Sequence, residues 1–168
     1  SIKVNVFSPD QAGTIYVAYG KNSGVYEQQT AQLDMAAGTP VELSLAGLLA
    51  NTQYYYRLYY RSAPNAAFAA IDEHSFHTAR PKGQTFTFTI QADSHLDENS
   101  DLKIYQTTLA NVLADKPDFH IDLGDTFMTE KYSQPLTAVQ QPAQSQDVVI
   151  ARYRYERGNF GLITHSVP

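Results

Sequence analysis

The sequence predicts a β sandwich followed by an incomplete α/β domain. Three observations lead there. Before Arg80, apolar residues recur with a period of two in short runs, and no helical period is convincing. Thr78-Ala79-Arg80-Pro81-Lys82-Gly83 then punctuates the chain with Pro and Gly. Beyond it the pattern becomes strand, helix, strand.

The totals bound what such a chain can be. With 168 residues it forms one large domain or two small ones. Hydrophobic residues make up 43% and charged residues 17%, as in a globular, moderately polar protein. A formal charge of -5 disfavours nucleic acid and anionic membranes as partners and is compatible with gathering cations. Cysteine is absent, which excludes disulfides and thiolate metal sites. No apolar run approaches the roughly 20 residues a membrane helix needs. The opening Ser1-Ile2-Lys3-Val4 carries no signal-peptide pattern and no initiator Met, so the start reads as processed or cut.

In the first half, Ile2, Val4 and Val6 alternate with other residues. Ile15-Tyr16-Val17-Ala18-Tyr19 is rich in β-formers and ends at Gly20-Lys21-Asn22. Val41, Leu43 and Leu45 alternate again, followed by the aromatic run Tyr54 to Tyr60, and His74-Ser75-Phe76-His77-Thr78 closes the series. Such short strands between turn signals predict a sandwich, here with five or six legible strands. About seven are usual, so the first is expected to be missing.

Leu48-Leu49-Ala50-Asn51-Thr52-Gln53-Tyr54 is written like a tyrosine corner. The Tyr54 ring is expected on the core, with its hydroxyl bonded to backbone upstream. The other tyrosines read as plain strand composition. On these residues the segment 1–79 resembles a fibronectin type III-like domain, in particular the one that precedes the catalytic domain of purple-acid-phosphatase-like proteins.

In the second half, Phe86, Phe88 and Ile90 alternate with threonines in a strand that runs into Ala92-Asp93-Ser94-His95. After a polar loop from Leu96 to Ser100, Leu102, Tyr105, Leu109, Val112 and Leu113 share a helical face. Ser100 is the expected N-cap, with Asp101 in the first turn. Lys116-Pro117 ends the helix. Phe119, Ile121 and Leu123 form a strand running into Gly124-Asp125. A right-handed βαβ unit brings both strand ends to one edge of the sheet. Further on, Tyr132 to Ser145 reads as a loop. Asp147 to Arg157 reads as a helix with Val148, Ala151 and Tyr155 on its apolar side, broken by Gly158-Asn159-Phe160-Gly161.

The strand ends carry the candidate chemistry. Asp93 and His95 are two apart and are expected to share a face where the strand frays. Asp125 leaves the next strand at the same end. A carboxylate, an imidazole and a second carboxylate suit a divalent transition metal with open coordination positions. The competing reading is two loop acids and a surface histidine. Asp-x-His or Gly-Asp alone would not overturn it. Their joint placement after apolar strands joined by a helix does.

The segment 84–168 is similar on these motifs to the calcineurin-like metallophosphoesterases, cut before the third motif. The family pattern runs Asp-x-His, Gly-Asp, Gly-Asn-His-[Asp/Glu] and later His motifs. The resemblance implies Asp93 and His95 on one metal and Asp125 bridging two metals (Fe, Mn or Zn). It implies hydrolysis of a phosphate-ester substrate by a hydroxide activated between the two ions, in a secreted or periplasmic setting. Departures follow. Nothing between Asp125 and Pro168 reads Gly-Asn-His, since Gly158-Asn159 is followed by Phe160. No general-acid His is identified. Met128 stands where purple acid phosphatases carry a metal-binding Tyr, so a tyrosinate-iron centre is not expected. The chain therefore reads as an N-terminal fragment, inactive by itself and prone to self-association through its half-built sheet. The alternative is a non-catalytic fibronectin-like binding module with a vestigial cation site. His120 and Asp122 mimic the motif inside the strand and read as core or supporting residues. His74 and His77 read as surface or satisfied structural residues. The role of His165 is unreadable.

Overall fold

A computed structural model describes residues 1–97, 99–127 and 145–168. The chain divides into two compact units, Ser1–Gln84 and Thr85–Pro168. It is mostly β-sheet, with two helices among the described residues.

The first unit contains seven strands: β1 (Ile2–Val6), β2 (Gly13–Gly20), β3 (Gln28–Gln29), β4 (Leu33–Met35), β5 (Val41–Leu45), β6 (Gln53–Arg61) and β7 (Ala69–His77). β1 pairs antiparallel with β5 in one sheet. The other runs β3-β2-β6-β7, with β4 also on β2. One core joins the sheets. Ile15, Val17 and Tyr19 of β2 and Tyr54 and Tyr56 of β6 meet Leu43 and Leu45 of β5 in it. The period-two alternation explains this, because every second residue of a strand faces one side. β3 and β4 escape the sequence reading because two or three residues are too few to show a period.

The Tyr54 hydroxyl accepts a hydrogen bond from the Leu49 N–H at 3.0 Å, and the ring is buried. This is the upstream backbone bond expected of a tyrosine corner. Tyr19, read as ordinary strand composition, holds the same connection twice. Its hydroxyl donates to the Ala46 carbonyl at 3.0 Å and accepts from the Ala46 N–H at 3.3 Å. Tyr54→Phe is expected to cost about 1 kcal/mol, the net worth of one such bond. Urea unfolding checks this, and an unchanged midpoint would leave the Tyr54 hydroxyl without a stabilising role.

In the second unit, β8 (Phe88–Gln91) pairs parallel with β9 (Phe119–Asp122), joined through α1 (Leu102–Ala114), and α2 (Gln146–Thr164) packs on α1. The described core is small: Leu96, Tyr105, Leu109, Val112 and Ile163. The sheet's polar side faces the helices. Gln91 reaches the Tyr105 hydroxyl, and His120 lies 6.0 Å from the Phe160 ring. The opposite side carries Phe88, Ile90 and Ile121, all at least 37% exposed, with Phe88 stacked on Phe119. Past α2, the Pro168 carbonyl accepts from the His120 N–H at 2.9 Å, which brings the chain beside β9.

Three expectations need correction. The N-cap of α1 is Asp101, whose carboxylate accepts from the N–H groups of Lys103 and Ile104. A carboxylate suits the positive helix end, and the Ser100 hydroxyl is turned instead to the His95 carbonyl. Second, α2 does not break at Gly158 but continues to Thr164. Two helical glycines cost about 1 kcal/mol each relative to Ala. Packing of Asn159 and Ile163 offsets this, since both are buried and Gln106 of α1 donates to the Asn159 side chain. Third, the buried face of α2 is not Val148, Ala151 and Tyr155 but Arg152, Glu156, Asn159 and Ile163, a mostly polar stripe at helical spacing. Residues 132–144 of the expected loop, and Met128, lie outside the described residues. Ser145 is the N-cap of α2.

Candidate metal centre

The ends of β8 and β9 run side by side past the last ladder pair. The Asp93 N–H donates to the Gly124 carbonyl at 3.0 Å, His95 to Asp125 at 3.4 Å, and Leu96 to Thr126 at 2.8 Å. These bonds hold the Asp-x-His and Gly-Asp segments against each other. The loop after Asp125 is fixed to α2, with the Phe127 ring edge-on to Tyr153 at 5.0 Å and the Arg152 guanidinium 5.6 Å from it.

Asp93, His95 and Asp125 converge. One ligand atom from each lies within 4.8 Å of the others. His95 Nε2 is 3.1 Å from Asp125 Oδ2 and 3.5 Å from Asp93 Oδ1. The backbone makes this possible in a way the sequence did not disclose. All three residues take a positive φ: 58° at Asp93, 43° at His95 and 56° at Asp125. The left-handed region is uncommon for residues with a side chain and is concentrated at functional sites. The donors share a direction because of these reversals and not because of a strand pleat. Gly124 precedes Asp125 at φ 90°, where glycine is the natural occupant. The carboxylates are more than half exposed and His95 about a third, so the cluster opens to solvent. A cleft of about 290 Å³ reaches Ser94, between Asp93 and His95, and is lined further by Gln91, Ala92, Ser100 and, on α1, residues including Ile104, Tyr105 and Thr108.

No family model matches the sequence, and no curated protein matches it. A structural likeness does emerge. The chain aligns over 99% of its length with purple acid phosphatase PPD1 from yellow lupin (Lupinus luteus) seeds, at a TM-score of 0.68 and 16% identity. It spans 31% of that protein's chain. The likeness shows a shared fold.

The donor set fits a transition metal by its chemistry: two carboxylates and one imidazole, all mutually close, with room for further ligands. The other histidines are not drawn in. His120 Nδ1 bonds the Thr89 hydroxyl at 2.8 Å, and burial lowers its pKa. His74 packs near Tyr56, His77 sits in β7, and His165 Nδ1 bonds the Ser166 hydroxyl at 2.7 Å.

Behind the donors lies a polar group of which the sequence had singled out only Asp122, as a core or supporting residue. Gln91 Nε2 donates to Asp122 Oδ2 at 2.8 Å, and the Tyr105 hydroxyl donates to Glu156 Oε1 at 2.9 Å. For Gln91 the one local signal was its place at the end of an apolar strand. Glu156 enters from 51 positions beyond its partner, which no local pattern reveals. Burial pushes the Glu156 carboxyl up to about 7, with the Asp122 charge adding to the shift and the Tyr105 bond opposing it.

A raised carboxyl means the folded state holds the proton that the unfolded chain has lost. Its contribution to stability is fully present below pH ~4.5 and is lost as pH rises towards about 7. Relative to wild type, Glu156→Gln should gain stability progressively across that window and hold the gain above it. Thermal melts at a series of pH values check this, and parallel curves would refute it.

Proposed function

We propose that this chain carries the first metal-binding elements of a metal-dependent phosphoesterase. In this reading, Ser1–Ala79 is a fibronectin type III-like sandwich, and 84–168 is the beginning of a metallophosphoesterase domain. The observation that carries the proposal is the convergence of Asp93, His95 and Asp125 on left-handed backbone at two adjacent parallel strand ends. One imidazole and two carboxylates held this close suit a divalent cation. The purple acid phosphatase likeness supports a hydrolase lineage.

Asp93, His95 and Asp125 would hold the ion. Bound there, a divalent metal supplies charge to polarise a phosphoryl oxygen. The chain's own residues set the donor spacing and, through their exposure, leave the ion accessible to a phosphate ester. A second metal requires ligands beyond these three, so whole-protein catalysis rests on residues outside this cluster.

Calorimetry with Mn²⁺ on residues 1–168 should show one weak site, and an aryl phosphate should turn over negligibly. A longer protein containing this segment should hydrolyse that substrate, and Asp125→Ala should abolish the activity. Tight binding of two ions by residues 1–168 would overturn the claim that this cluster is half a site. Absence of both metal binding and whole-protein activity would favour a binding module.

A further inference from the structure

Asp122 and Gln91 face each other as the last pair of the parallel ladder, three residues before Asp125 and two before Asp93. Asp122 uses both carboxylate oxygens. Oδ2 accepts from Gln91 Nε2 at 2.8 Å, and Oδ1 accepts from the Gly124 N–H at 2.6 Å. The first bond joins the two strand ends side chain to side chain. The second bends the chain into the left-handed pair Gly124–Asp125. Gln91 stands two residues before Asp93, and its carbonyl accepts from the Leu123 N–H at 2.9 Å. One side chain therefore touches both segments that present metal donors.

We propose that Asp122 is a positioning residue of the metal centre, its carboxylate clamping together the strand ends that carry Asp93 and Asp125. This rests on reading Asp93, His95 and Asp125 as a metal site. The physical reason is strain. Positive φ at Asp93, His95 and Asp125 costs of order 1 kcal/mol or more each, and such conformers persist only where surrounding bonds over-determine them. Without the Gly124 bond, the Gly124–Asp125 turn relaxes and Asp125 Oδ2 leaves His95. Ion binding must then restore the arrangement. Groups that orient metal ligands without touching the metal commonly change affinity by about 10–100-fold.

The test titrates Mn²⁺ into residues 1–168 by calorimetry and records the visible absorption of the Co²⁺ form. Circular dichroism establishes folding of each variant. Asp122→Ala should weaken Mn²⁺ at least about tenfold while remaining folded, and should alter the Co²⁺ bands, a signature that a merely stabilising residue would not move. Asp122→Asn keeps an oxygen for the Gly124 N–H and an amide that can pair with Gln91. It should restore most of the affinity. If Asp122→Ala does not fold, Gln91→Ala decides, because it removes only the cross-strand bond. A several-fold loss supports the clamp, and wild-type affinity overturns it. Wild-type affinity and bands in folded Asp122→Ala would likewise overturn the clamp and leave the metal site standing. No Mn²⁺ binding by the wild type would overturn both.

Discussion

Asp125→Gly is expected to lower metal affinity at least about a hundredfold while leaving the metal-free second unit as stable as before, or more so. The two effects have separate causes. Asp125 supplies one of the three convergent donors, and its Oδ2 is the closest carboxylate oxygen to His95 Nε2. Removing it leaves two ligands, too few to hold a hydrated divalent ion firmly. The same residue sits at φ 56°, a conformation costing roughly 1 kcal/mol for a residue with a Cβ and little for glycine. The loss of function and the relief of strain therefore point in opposite directions on one substitution. Asp125→Ala separates them, since alanine also loses the donor but keeps the strain. Titration with Mn²⁺, paired with urea unfolding in chelator, gives both quantities. If Asp125→Gly destabilised the metal-free unit more than Asp125→Ala, the backbone argument would fail. If it bound Mn²⁺ like the wild type, the donor assignment would fail.

Leu109→Ala should cost about 3–4 kcal/mol and act on one unit only. Leu109 is fully buried in a small core with Leu96, Tyr105, Val112 and Ile163, against which Leu102, Leu113, Tyr155 and Phe160 pack only partly buried. So small a core has few neighbours able to close in on the cavity left by three lost carbons. Domains commonly hold only about 5–15 kcal/mol in total, so the loss takes a large share. The first unit keeps its own core around Ile15, Leu45 and Tyr54, none of which belongs to the second. Denaturation followed by tyrosine fluorescence and by amide exchange should show protection lost across α1, β8 and β9 while β2 and β6 stay protected. Uniform loss across both units would show that they unfold as one.

The cofactor reading and the fold follow different routes to the same residues. The alternation at Ile2–Val6 and Val41–Leu45 and the helical spacing of Tyr105, Leu109 and Val112 were legible because burial selects side chains by period. The Tyr54 corner was legible because its motif is local: donor and acceptor are five residues apart. Two errors share a cause. The break expected at Gly158 and the apolar face expected on α2 both came from weighing residues by intrinsic preference, whereas contact with α1 decides the helix's length and its buried face. Gln106 and Tyr105 select Asn159 and Glu156 from positions more than fifty residues away.

The sequence by itself determined the order of the longer strands and the helices, the candidate donors Asp93, His95 and Asp125, and the absence of thiolate chemistry. These depend on residue identity and short-range spacing. Only the tertiary structure decided that the donors stand on left-handed backbone, that Asp122 bridges Gln91 and Gly124 beneath them, and that Glu156 is buried beside Tyr105. The reason is physical. Backbone reversals and buried polar contacts depend on hydrogen bonds that, apart from the short Asp122–Gly124 link, join distant segments, and their energies exceed the local preferences that a sequence pattern records.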